Sequence, residues 1–78
     1  MDMRALVGKN VRRLRLAKNL TQEQFAELSG LSQQYLSGLE RGRRNPTVVT
    51  LFELASALGT KPAELLSEFQ QADDKPGE

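Results

Sequence analysis

Two adjacent glutamines, Gln33 and Gln34, carry the most specific chemistry that the sequence offers. A carboxamide holds a donor beside an acceptor, the pair that can bond N6 and N7 of adenine in the major groove of DNA. An apolar pattern that includes Leu36 and Leu39 predicts a helix here, with its polar side chains left on the outer face. These outer residues are Gln33, Gln34, Ser37 and Arg41. Since the first residues of a recognition helix reach base edges, the pattern favours DNA reading. A merely solvated helix face, for which Glu or Lys would serve as well, is the structural alternative.

The sequence lacks the residues that enzymatic catalysis or metal binding would need. The chain has no Cys and no His, which excludes zinc fingers, thiolate nucleophiles and imidazole bases. No nucleophile stands beside a base, and no glycine-rich loop that could cradle a phosphate is present. The sequence therefore predicts a protein that is not an enzyme and that binds no metal or cofactor.

The charges of the chain divide into two halves. Residues 1–45 carry nine Lys and Arg against four Asp and Glu, whereas residues 46–78 carry two against six. This asymmetry, hidden by a net charge of +1, predicts a polyanionic partner for the N-terminal half. We find no apolar run of about 18 residues and no secretory signal, so the expected location is cytoplasmic and nucleoid-associated, with no membrane partner.

Helical periodicity and capping residues predict an all-α chain of five helices. The first spans about residues 3–18. Each of the other four is expected to begin after a Ser or Thr N-cap, and three of the helices to end near a Gly. The expected N-caps are Thr21 (in a capping box with Gln24), Ser32, Thr47 and Thr60. We expect residues 1–69 to form one domain and residues 70–78 to be a disordered acidic tail.

The joint between the second and third helices has the form of a helix-turn-helix. Only about three residues, 30–32, separate the two helices, and one of them is Gly. The motif, about residues 21–41, lies in the segment that reads TQEQFAELSGLSQQYLSGLERG over residues 21–42 and is followed by Asn45-Pro46-Thr47. This segment resembles the phage-repressor or XRE-type helix-turn-helix family, and the resemblance covers about residues 5–68. Small stand-alone members, such as short repressors and restriction–modification controller proteins, are similar in size.

The resemblance implies a five-helix, lambda-repressor-like domain that binds double-stranded DNA as a homodimer and regulates transcription. By the same resemblance, Gln33, Gln34 and Ser37 would read bases. Gln22 would contact a phosphate and brace the recognition helix, and the loop residues Arg41, Arg43, Arg44 and Asn45 would lie along the DNA backbone. Arg15 and Glu40 would form an ion pair between the first and third helices. Tyr35 has two interpretations, packing against the second helix or a phosphate contact through its hydroxyl.

One residue departs from the family pattern. Gly38 stands where many relatives direct a longer side chain toward DNA, so one reading contact is expected to be missing. Either the backbone approaches the DNA closely at Gly38, or recognition depends more on the first turn of the helix.

Leu65, Leu66 and Phe69 predict a dimer interface. Three large apolar residues at the end of a small domain exceed what the edge of one core can cover. A two-fold dimer would place two recognition helices about 34 Å apart, one turn of duplex, and so bind a near-palindromic operator.

Other functions of the same fold remain open at this point. The chain could be an antitoxin, a restriction–modification controller, or a protein-interaction module that uses the helix-turn-helix only as a frame. The operator, the direction of control and any protein partner, such as a toxin or RNA polymerase, are not encoded in a recognisable motif.

Overall fold

The structure, a computed structural model, describes residues 2–68 of the chain. These residues contain five α-helices joined by short loops. The helices are α1 (Met3–Ala17), α2 (Gln22–Ser29), α3 (Gln33–Glu40), α4 (Val48–Leu58) and α5 (Pro62–Leu66). Residues 2–68 contain no strand, and the predicted all-α, five-helix architecture is confirmed. The predicted tail, residues 70–78, lies outside the described residues.

Side-chain caps fix where most of the helices begin. Thr21 accepts a hydrogen bond from the Gln24 amide while the Gln24 side chain accepts one from the Thr21 amide, the predicted capping box. Ser32 and Thr47 cap α3 and α4 as expected. The expectation for Thr60 is wrong, because Lys61 is the N-cap of α5 and makes no side-chain cap bond. Pro62 takes the first position of that helix, which its fixed φ favours, and the Glu64 amide donates to the Lys61 carbonyl oxygen at 2.9 Å rather than to a side chain.

The core lies where α1, α2, α3, α4 and α5 meet. Helix α1 packs against α3 and α5, and α4 packs against α2 and α5. Nine apolar side chains are buried between them: Val7, Val11, Phe25, Leu36, Leu39, Leu54, Ala55, Leu58 and Leu65. Phe25, Leu36 and Leu39 anchor α2 and α3, which leaves the polar face of α3 outside.

Gly8 sets the approach of α1 to α3. A Cβ added at Gly8 would collide with the backbone oxygen of Leu39 and lie 3.1 Å from the carbonyl carbon of Glu40. Only a residue without a side chain lets the two backbones come this close. Gly8 thereby seats the C-terminal half of α3 against the body of the protein.

Asn10 joins the first helix to the last. Its side chain is completely buried, and its Nδ2 donates to the carbonyl oxygens of Leu65 at 2.9 Å and Ser67 at 2.8 Å. Its Oδ1 accepts from Nη2 of Arg13 at 3.3 Å. The amide therefore has its hydrogen-bonding groups satisfied inside the fold.

The end of the domain differs from the predicted dimer interface. Leu65 is completely buried in the core, so the prediction that it contacts a second copy is wrong. In a helix of five residues the chain packs one leucine inward and turns the next one outward. Leu66 is 43% exposed, and Phe69 lies outside the described residues.

Candidate nucleic-acid interface

The turn between α2 and α3 is short and sharply defined. Gly30 ends α2 in the left-handed region with φ of 79°, and Ser32 begins α3 by accepting a hydrogen bond from the Tyr35 amide at 3.0 Å. Leu31 between them packs against the core. This turn holds α3 at the surface with its first residues exposed.

Most of the sequence-predicted contact residues lie together in one open cleft of about 630 Å³. Gln33 and Gln34 are exposed at its edge, and Ser37 follows one turn later. The complete lining is Gln22, Gln33, Gln34, Ser37, Gly38, Arg41, Arg43 and Arg44. Of the other predicted contacts, Asn45 is exposed but does not line the cleft, and Tyr35 is half-buried with its side chain packed against the core.

A Schellman motif at the end of α3 brings the arginines back toward the helix. The amide of Arg43 donates to the Gly38 carbonyl and that of Gly42 to the Leu39 carbonyl, both at 2.9 Å. Gly42 supplies the left-handed conformation, with φ of 78°. The loop therefore turns sharply, and its exposed arginines face the same cleft as the glutamines.

The predicted partners Arg15 and Glu40 meet in a nearly buried ion pair. Nε of Arg15 lies 2.6 Å from Oε2 of Glu40, Nη2 lies 3.0 Å from Oε1, and the two side chains are only 8% and 4% exposed. Nη1 of Arg15 also donates to the carbonyl oxygen of Leu20 at 2.7 Å. The pair fixes the end of α3 to α1 and to the segment before α2.

Gln22 extends this network to the surface. Its Nε2 donates to Oε1 of Glu40 at 3.0 Å while the residue also lines the cleft. Glu40 thus receives hydrogen bonds from both helices that flank α3. Because Arg15 balances the Glu40 charge, the positive charge of Arg41, Arg43 and Arg44 dominates the cleft.

Arg12 also belongs to this region, although its sequence pattern alone does not place it there. A second cleft of about 300 Å³ brings Arg12 from α1 beside Gln22, Ser37, Glu40 and Arg41. Helical periodicity places Arg12 only on an outer face of α1. Its neighbourhood with α3 depends on how the two helices cross, which no local pattern shows.

Two other kinds of site are not found in residues 2–68. No group of acidic side chains there could hold a metal ion. None of the helices is long and apolar enough to cross a membrane.

The comparisons with known proteins agree with this geometry. A helix-turn-helix family model, HTH_3, matches residues 11–65. The HTH-type transcriptional regulator y4dJ of Sinorhizobium fredii is 66% identical over 67 residues, which cover 86% of this chain and 87% of that protein.

Two solved structures are also similar. The restriction–modification controller protein C.AhdI of Aeromonas hydrophila has a TM-score of 0.77 and 47% identity, covering 80% of this chain and 94% of that one. The controller protein C.Esp1396I, solved as a tetramer on its natural 35-base-pair operator, has a TM-score of 0.76 and 31% identity, covering 83% of this chain and 86% of that one. Family match, close relatives and the exposed α3 agree: the chain belongs to the helix-turn-helix family of DNA-binding transcriptional regulators.

Proposed function

We propose that this regulator binds a near-palindromic operator as a homodimer, with α3 of each copy in the major groove. The observation that carries the proposal is the placement of Gln33 and Gln34, exposed at the first turn of α3 and facing a cleft lined by three arginines. Carboxamides at this position suit adenine edges, and the arginines suit the charged backbone beside them. The protein would act where its operator is, on the chromosome in the cytoplasm.

The remaining predicted contacts divide by position. Arg41 and Arg43 lie in the cleft and would neutralise phosphates, with Asn45 next to them in the exposed loop. Gln22 would contact a phosphate from the start of α2 while its bond to Glu40 holds its side chain in place. Tyr35 of α3 is half-buried and packs against the core, which supports the packing interpretation for its ring.

Substitution of Gln33 tests the reading role. The variant Gln33→Ala should bind the duplex selected by the wild-type protein from a random pool more weakly by about 1–3 kcal/mol, and bind unselected duplex equally well. Fluorescence anisotropy with both duplexes measures the difference. Glu27→Ala, an exposed change on α2 outside the cleft, is the control and should alter neither affinity.

Equal losses on both duplexes for Gln33→Ala would contradict base reading at this position. If the wild-type protein selects no motif at all, the alternatives of an antitoxin or a protein-interaction module are favoured instead.

An apolar surface on α4 supports the homodimer. Val48, Val49 and Phe52 are exposed, with Val48 at 82%, and their spacing places Phe52 one turn from the two valines. Phe52 also shares a cleft with the exposed Leu28 of α2. A run of large apolar side chains this open is typical of an interface. This α4 surface exposes more apolar area than the predicted α5 interface, in which Leu66 is the exposed residue that the structure describes.

A charge placed on this surface should separate the copies. Phe52→Glu is expected to sediment as a monomer at concentrations where the wild-type protein is a dimer, because burying a carboxylate against apolar residues is unfavourable. Operator affinity should fall by about 100-fold or more as the second reader is lost. Analytical ultracentrifugation and anisotropy measure the two effects.

Leu66→Glu is the comparison, since it places the same charge on the α5 surface. A dimeric Phe52→Glu together with a monomeric Leu66→Glu would move the interface to α5.

A role as controller of a restriction–modification system is the second candidate. The 47% identity to C.AhdI favours it. A methyltransferase and an endonuclease encoded beside this gene, with an operator in their shared promoter, would support it; neighbours of another kind would favour a general repressor or activator.

A further inference from the structure

Arg44 occupies the space beside α3 where a side chain at position 38 would stand. A Cβ added at Gly38 would lie 3.2 Å from Nε of Arg44, 3.5 Å from Cγ and 3.9 Å from Cδ. The Arg44 side chain therefore lies along the helix surface at Gly38. The gap that the family pattern leaves at position 38 is filled by a residue six positions further along the chain.

Tyr35 supplies the second wall of this position. Cζ of Arg44 lies 5.3 Å from the centroid of the Tyr35 ring, within the range of a cation–π contact. Tyr35 and Gly38 are three residues apart and share one face of α3. Because Tyr35 packs against the core, its ring is a fixed surface under the guanidinium.

The backbone that leads to Arg44 is held at the same point. The Gly38 carbonyl accepts from the amides of Arg43 at 2.9 Å and Arg41 at 3.1 Å. Gly38 thus binds the loop through its carbonyl oxygen. Because Gly38 has no Cβ, it also leaves room for the Arg44 side chain. Within residues 2–68 no carboxylate forms an ion pair with Arg44, which lines the cleft.

We infer that Gly38 and Tyr35 form a seat that holds Arg44 over α3, so that Arg44 reads a base in place of a side chain at position 38. A planar guanidinium fixed in orientation matches O6 and N7 of guanine. The position lies one turn beyond Gln34, on the same cleft. The inference rests on the proposed DNA-reading function and replaces the phosphate contact that the family resemblance assigns to Arg44.

A double-mutant cycle with Gly38→Ala and Arg44→Ala tests the seat. On the duplex selected by the wild-type protein, Arg44→Ala should weaken binding about tenfold or more, the loss of a bidentate base contact. Gly38→Ala should weaken it by about two- to fivefold, because the methyl group displaces Arg44 from its cation–π contact. In the Arg44→Ala background, Gly38→Ala should have no further effect on affinity.

A loss of folding is not expected to account for the weaker binding of Gly38→Ala. Gly38 lies inside α3 with φ outside the left-handed region, and the atoms its methyl group would meet belong to a flexible side chain. Gly38→Ala should therefore keep or raise the thermal midpoint while it weakens DNA binding. If the affinity losses of the two single variants add up in the double variant, the proposed seat for Arg44 is wrong.

Arg43→Ala is the matched control for base reading, since Arg43 lines the same cleft beside Arg44. It should weaken all duplexes alike and reduce the slope of log affinity against log salt by about one unit. Selection from a random pool with Arg44→Ala should lose a guanine preference in each half-site that Arg43→Ala retains. A uniform loss for Arg44→Ala would overturn the inference and return Arg44 to the phosphates, whereas a wild-type protein that selects no motif would overturn the proposed function itself.

Discussion

Replacing Arg15 with alanine should lower the free energy of unfolding by about 3–5 kcal/mol, a large share of the stability of a small domain. The reason is that Glu40, the partner of Arg15 in the ion pair, remains in place. The Glu40 side chain is only 4% exposed, and without Arg15 its charge would stay buried with the single bond from Gln22. Leu20 would also lose the donor to its carbonyl oxygen. Urea unfolding followed by circular dichroism measures the loss.

Two further variants separate the ion pair from general effects of losing an arginine. Arg12→Ala removes an exposed arginine of the same helix and should change stability by less than about 0.5 kcal/mol. Arg15→Met combined with Glu40→Leu removes both charges and keeps the volume, so it should recover most of the stability. Unfolding of Arg15→Ala at the wild-type urea midpoint would show that the pair does not hold α3.

Gly8→Ala should destabilise the fold by about 1–3 kcal/mol or more, although alanine is the better helix former. The added methyl group would meet the backbone oxygen of Leu39, which cannot rotate away as a side chain can. Helix α3 must then move outward, which opens the contacts of Leu36 and Leu39 with the core. The urea midpoint and operator affinity should both fall.

Gly38→Ala is the internal comparison for this result, because it is the same substitution inside a helix with only the Arg44 side chain in its way. Gly8→Ala should lower the stability, whereas Gly38→Ala should keep or raise it. Equal or stabilising effects at both positions would contradict the close approach of α1 and α3.

The fold was predictable because its signals are local. Thr21 with Gln24, Ser32 and Thr47 lie within one turn of the amides they bond, so the starts of three helices can be found from neighbouring residues. The start of α5 differs from the prediction because Pro62 favours the first position of a helix, which makes Lys61 rather than Thr60 the N-cap. The burial of Leu65 was missed because five residues give too little periodicity to define an inner face.

The candidate site was predictable only in part. Gln33 and Gln34 follow directly from the position of α3, and the loop arginines from the sequence after it. The contacts of Gly8 and Asn10 could not be found, because their partners lie more than 30 residues away and depend on helix crossing. The Gly38 gap was visible in the sequence, but its occupation by Arg44 follows from the fold of the loop.

The buried amide of Asn10 makes the packing of α1 depend on the last helix of the domain. Both of its donors bond carbonyl oxygens 55 and 57 positions later, at the end of α5. In a nascent chain these two bonds cannot form until Ser67 has left the ribosome. Cleavage just before Leu65 should therefore loosen α1 as well as release α5, and the two ends of the domain should lose protease resistance together.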